Sequence, residues 1–166
     1  MKSLPIENII RFVVVILLQV LLVNNMQFLG ICNPCIYILA LLALPVTLPR
    51  WAELLIGFAT GLVMDIFCDS LGAHTAACTL ISYIRPLLIS RLVQDNDRLT
   101  GTPDGDSLGI ATYARYVTLL TAIHHIVLFS LLAFSWHNWW LTLLQIVFST
   151  AVSIALILGW DLLIRR

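Results

Sequence analysis

The residues of this chain that could do chemistry lie inside apolar stretches, at helical spacing. Gly57, Gly61, Asp65 and Asp69 recur every four residues, so a helix carries them on one face. Two glycines in that register let a neighbouring backbone come close. An ionised Asp65 facing lipid would cost about 2.5–3.5 kcal/mol, so it must face protein or water. Its chemistry is then either that of an ion or substrate site, or that of a carboxylate that packs and caps helices. Its nearness to the turn at 69–72 makes capping the expected role. On that reading Asp65→Asn, which keeps size and hydrogen bonding, is mild.

A second stripe holds His74, Cys78, Ser82 and Arg85, at spacings of four, four and three. Arg85 is expected to anchor its helix by running its long stem toward the cytoplasmic interface. The rival is a buried ion pair, with Asp161 as the candidate acid. Pro86 removes a backbone donor and predicts a kink. His124 and His125 fall near mid-membrane, but adjacent helical residues point about 100° apart. One of them can face the bundle and bond to Asp65 or a carbonyl, and a proton relay is the sharper alternative. Cys32-Asn33-Pro34-Cys35 is a Cys-x-x-Cys that could form a disulfide or a redox pair, although cysteines in so apolar a chain are mostly small packing residues. Ala151, Ala155 and Gly159 make a flat face that suits either internal packing or a partner helix.

What must position these residues is a membrane bundle. The chain has 166 residues, 60% of them hydrophobic and 11% charged, and a mean hydropathy of +0.98. Soluble domains carry about 25% charged residues. A spanning helix needs about 20 apolar residues, so six use roughly 120 and leave tails and short loops. That remainder has no room for a water-soluble catalytic domain. Net charge is zero, which gives no electrostatic case for nucleic acid.

Six apolar stretches are expected to be helices of one transmembrane domain spanning 1–166: about 8–23, 31–48, 51–67, 73–93, 110–134 and 139–164. The first is read as a retained helix, because its apolar run is long and no small-residue cleavage site follows. Turn-forming or polar residues separate the stretches. The longest polar piece, 94–109, has four Asp against one Arg and reads as a flexible loop. With six crossings, all nine Lys and Arg fall at the two ends or in or beside the second and fourth connections. The positive-inside rule then places both termini in the cytoplasm. Trp136, Trp139 and Trp140 gather at the opposite interface, as an aromatic belt does.

The segment 57–77, GFATGLVMDIFCDSLGAHTAA, resembles the rod shape-determining protein MreD family. The match runs through Gly61, Leu62, Asp65, Gly72, Ala73 and His74. It continues at Tyr83-Ile84-Arg85-Pro86-Leu87-Leu88, Ala114-Arg115-Tyr116 and Ile164-Arg165-Arg166, and so covers nearly the whole chain. No single motif is chemically specific; their order carries the likeness. Cys32 and Cys35 are not part of the family pattern. The resemblance implies a non-catalytic scaffold of the bacterial cell-elongation (rod-shape, peptidoglycan synthesis) complex in the inner membrane. Its partners would be an MreC-like membrane protein and, indirectly, the MreB filament and the RodA glycosyltransferase with its transpeptidase. It implies a fold similar to the substrate-binding subunit of energy-coupling-factor transporters, which keeps a small-molecule-binding vitamin-transporter subunit as an alternative. A thiol oxidoreductase using Cys32 and Cys35 is a third.

No triad, metal cluster or phosphate loop is legible in the order of residues, so no catalytic residue, cofactor or metal is expected. The residues expected to matter for structure or partner binding are Gly57, Gly61, Asp65, His74, Arg85, Ala151, Ala155 and Gly159.

Overall fold

The structure, a computed structural model, describes residues 4–23, 32–93, 101–133 and 139–164. The turns expected at 24–25 and 135–138, part of the acidic loop, and Lys2, Arg98, Arg165 and Arg166 lie outside those residues. The described residues are all-helical. The elements are α1 (Leu4–Leu18) continuing as a π-helical turn (Gln19–Val23), α2 (Ile38–Leu42), α3 (Arg50–Cys68), α4 (Ala73–Leu92), α5 (Ile110–Leu132) and α6 (Trp139–Ile164). In the bundle α3 packs on α4, α4 on α5 and α5 on α6, while α1 and α4 both meet α2. Three helices, α3, α5 and α6, are long and apolar enough to cross a membrane.

The bundle encloses polar side chains within an apolar core, and its exterior is apolar. Ile66, Trp51, Phe58, Phe148, Val147 and Leu163 are all exposed, whereas Glu53, His74, Arg85, His124, His125 and Ser153 are buried. In water such an apolar surface would drive association. Against hydrocarbon it is the expected exterior, with polar side chains turned to the bundle interior.

Helices α3 and α4 approach closely at Gly57 and Gly61. A Cβ at Gly61 would stand 2.4 Å from Thr75 Cα and 2.6 Å from the His74 carbonyl. A Cβ at Gly57 would stand 2.2 Å from Ser82 Oγ, a side-chain atom that can move, and 3.0 Å from the Cys78 carbonyl. Gly61→Ala should therefore be the costlier change, about 1–3 kcal/mol of overpacking, because backbone must yield. Unfolding midpoints of the two variants in mixed micelles test this. Equal midpoints would mean that the seam opens without resistance.

The second apolar stretch is not the helix expected over 31–48. Only Ile38–Leu42 is helical there, roughly 7.5 Å of rise against a bilayer core of about 30 Å. Two prolines within it oppose a helix. Pro34 and Pro45 lack the N–H that a helix interior needs, and each disfavours helix in the residue before it. Hydropathy alone hid them. The irregular chain still runs beside α4 in the same direction, since Tyr37 meets His74 and Leu44 meets Arg85.

Irregular backbone at membrane depth must find its hydrogen bonds within the protein. Gln19 of the π-helical turn accepts from the amides of Ile36 and Tyr37 and donates to the Pro34 carbonyl. From α6, Ser149 Oγ accepts from the Asn33 amide at 3.0 Å and Ser153 Oγ from the Cys35 amide at 2.9 Å.

Candidate functional site

Two polar assemblies flank this broken segment. The first begins at Asp65. Helix α3 ends at Cys68, with Asp69 in the left-handed region (φ 51°). The chain then turns through Ser70, Leu71 and Gly72 into α4. The turn brings the start of α4 back over Asp65. Its Oδ1 accepts from Ser70 Oγ at 2.6 Å and from the His74 amide at 2.9 Å. Its Oδ2 accepts from the Thr75 amide at 2.9 Å and from Thr75 Oγ1 at 2.5 Å. A carboxylate thus caps the first turn of α4, where free amides and the helix dipole both favour negative charge. All four bonds come from the protein itself.

His74, one residue into α4, turns inward. Its Nδ1 lies 2.7 Å from the Tyr37 hydroxyl, which lies 2.8 Å from His124 Nε2. The three rings form an edge-on cluster with centroids 5.5 to 6.5 Å apart. A hydroxyl carries one proton, so Tyr37 donates to one imidazole and accepts from the other. Cys78, on the same stripe as His74, places Sγ 3.8 Å from His124 Nε2. His124 meets Tyr37 here; the bonds to Asp65 come from Ser70, His74 and Thr75.

The second assembly centres on Arg85, and it corrects the expected interfacial anchor. Arg85 is 2% exposed. Its Nη1 donates to Glu53 Oε1 at 2.5 Å and its Nε donates to the Tyr116 hydroxyl at 2.8 Å. Its Nη2 donates to the carbonyls of Leu42, at 3.3 Å, and Leu44. Tyr116 in turn donates to the Leu42 carbonyl at 2.9 Å. The Leu42 carbonyl ends α2 and the Leu44 carbonyl lies just beyond it; a cation there satisfies carbonyls that a helix end leaves free and complements the dipole. The acid is Glu53 of α3, where the sequence offered Asp161. Glu53 extends the stripe of Gly57, Gly61 and Asp65 by one step of four, and that spacing was the signal available for it.

No family model, curated protein or solved structure matches this chain. Its chemistry is therefore judged on its own residues. Asp65 and Arg85 hold backbone in place, so both act as structural groups. Cys32 and Cys35 are free thiols, and both are buried; a thiol that exchanges with an outside partner needs access. An open apolar groove of about 700 Å³ follows the α3–α4 seam between Phe58, Leu62, Ala76 and Tyr83. Its threonine hydroxyls, Thr75 and Thr79, are bonded to Asp65 and to the Thr75 carbonyl. The α6 residues divide by face. Ser149, Ser153 and Ile157 are buried, Ala151 and Ala155 are exposed, and Gly159 has open space around its Cα.

Proposed function

We propose that this chain is a non-catalytic, six-pass scaffold of the bacterial inner membrane. It belongs to the cell-elongation complex and binds an MreC-like membrane protein, through which the MreB filament and the RodA glycosyltransferase with its transpeptidase are reached. The broken second segment counts as one crossing in this reading, and both termini are cytoplasmic. The MreD-like order of motifs motivates it. The observation that carries it is the outward face of α6, where Ala151, Ala155 and Gly159 leave a smooth strip unfilled by this chain. Such a strip suits close approach by another transmembrane helix, since association within lipid relies on packing rather than on the hydrophobic effect.

Ala155→Phe is expected to leave expression and folding unchanged and to cut co-purification of the MreC-like protein severalfold in mild detergent. Because Ala155 is exposed, the larger ring can point away from the packed interior of the bundle. If wild type recovers no such protein, the scaffold reading fails. If wild type and Ala155→Phe recover it equally, the α6 strip is not the contact.

A further inference from the structure

We infer that the chain holds a buried thiolate–bis-imidazole site for a monovalent late transition-metal ion, Cu⁺, built from Cys35, His124 and His125. One donor atom from each lies within 4.8 Å of the other two. All three side chains are buried. The sequence separates them: Cys35 lies on the irregular segment, and the adjacent histidines diverge along α5. The structure closes the gap because His124 and His125 splay with their rings at 78° and centroids 5.4 Å apart, and Cys35 comes in from the broken segment.

Hydrogen bonds fix which nitrogens are free. His125 Nδ1 faces the Thr121 carbonyl at 2.9 Å, so it carries the proton and Nε2 carries the lone pair. That lone pair has a long 3.4 Å contact to Ser153 Oγ. His124 Nε2 is engaged by Tyr37, and His124 Nδ1 is buried with no hydrogen-bond partner. A buried polar atom without a partner is costly, and a metal ion would satisfy it. The tautomer that frees Nδ1 has Nε2–H donating to the Tyr37 oxygen and the Tyr37 proton pointing to His74 Nδ1. Outer groups that orient a ligating imidazole in this way are the usual support of metal sites. Ser153 plays the matching part for Cys35, holding its amide at 2.9 Å. The Cys35 thiol makes a long 3.8 Å contact with the Asn33 carbonyl and also lies near Tyr37, weak restraints that let it shift to close the set.

Ligand chemistry and charge choose the ion. Thiolate with imidazole selects soft or borderline metals, Cu⁺ or Zn²⁺, over Mg²⁺ and Ca²⁺. One thiolate and two neutral imidazoles neutralise a monovalent ion. A divalent ion would leave a net positive charge in an apolar interior, which is strongly disfavoured. Zn²⁺ also takes four ligands in structural sites. On binding, the Cys35 thiol loses its proton to solvent, one Cu–S and two Cu–N bonds form, and no electron is transferred.

The test uses the full chain, purified in detergent under a reductant, with Cu⁺ presented as its bicinchoninate complex. Wild type should withdraw one Cu⁺ per chain, and X-ray absorption should show one sulfur and two nitrogens around copper. Cys35→Ser should weaken binding by at least the roughly 10–100-fold that loss of an outer-shell partner alone causes, and Cys32→Ser should leave it unchanged. Zn²⁺ in equal amount should not displace the copper. The assignment is overturned if wild type takes up no copper, if Zn²⁺ displaces it, if Cys35→Ser binds like wild type, or if the spectrum shows two sulfurs, which would mean a Cys32–Cys35 clip. Where Cys35→Ser does not fold, the wild-type spectrum alone decides.

Discussion

Arg85→Met should lower stability by about 3–5 kcal/mol, the largest effect expected of any single substitution in this chain. The change leaves the Glu53 carboxylate buried without its cation and uncovers the Leu44 carbonyl. Tyr116 keeps its bond to the Leu42 carbonyl and loses the Arg85 Nε donor. Most of the loss is the cost of an isolated buried charge, so removing that charge should restore much of it. The double variant Glu53→Leu with Arg85→Met is expected to recover at least half of the lost stability, because an apolar pair of similar volume often replaces a buried ion pair at little cost. Unfolding midpoints of wild type, both single variants and the double variant in mixed micelles form the cycle that measures this. A single variant within about 1 kcal/mol of wild type, or a double variant no better than Arg85→Met, would mean that the pair does not hold α2 in place.

Asp65→Asn comes second, and the geometry reverses what the sequence suggests. An amide keeps the shape of the carboxylate, so the exchange looks mild. Yet each carboxylate oxygen faces a backbone amide, Oδ1 that of His74 and Oδ2 that of Thr75. However the Asn side chain is turned, its NH₂ group meets one of these N–H groups. Ser70 and Thr75 can rotate their hydroxyls; a backbone N–H cannot. Asp65→Asn should therefore lose about 1–3 kcal/mol, with up to about 1 kcal/mol more from the lost charge at the start of α4. Asp65→Leu orphans both amides and should lose more. Amide hydrogen exchange at His74 and Thr75 gives a local reading, expected to speed up in the order wild type, Asn, Leu. An Asn variant with wild-type exchange and stability would show that the cap contributes little.

Much of the fold was legible where one local rule decides. The spacing of Gly57 and Gly61 predicts a close helix seam, and steric exclusion by Thr75 and Ser82 is what stands there. The nearness of Asp65 to a turn rich in small residues predicts a cap. Three things were not legible, each for its own reason. Hydropathy sums over Pro34 and Pro45 and so reads a continuous helix where only Ile38–Leu42 is helical. Depth along a helix suggested that Arg85 reaches the interface, but its conformation depends on Glu53, a residue of a different helix at the same level. Cys35 and His124 are 89 positions apart in the numbering of the chain, and nothing local ties them. Only the irregular path of residues 32–37 brings the thiol to the imidazoles.

That irregular path also bears on how the protein is made. The amides of Asn33 and Cys35 emerge from the ribosome early, but the hydroxyls that accept from them, Ser149 and Ser153, are synthesised more than a hundred residues later. Until α6 enters the bilayer, those amides have only lipid or water to face. A nascent chain stopped after α5 carries two bare donors at a depth where bare donors are expensive, and it stays distinguishable from a finished molecule. Closure of the bundle by its last helix thus completes the hydrogen bonding of a segment made long before it.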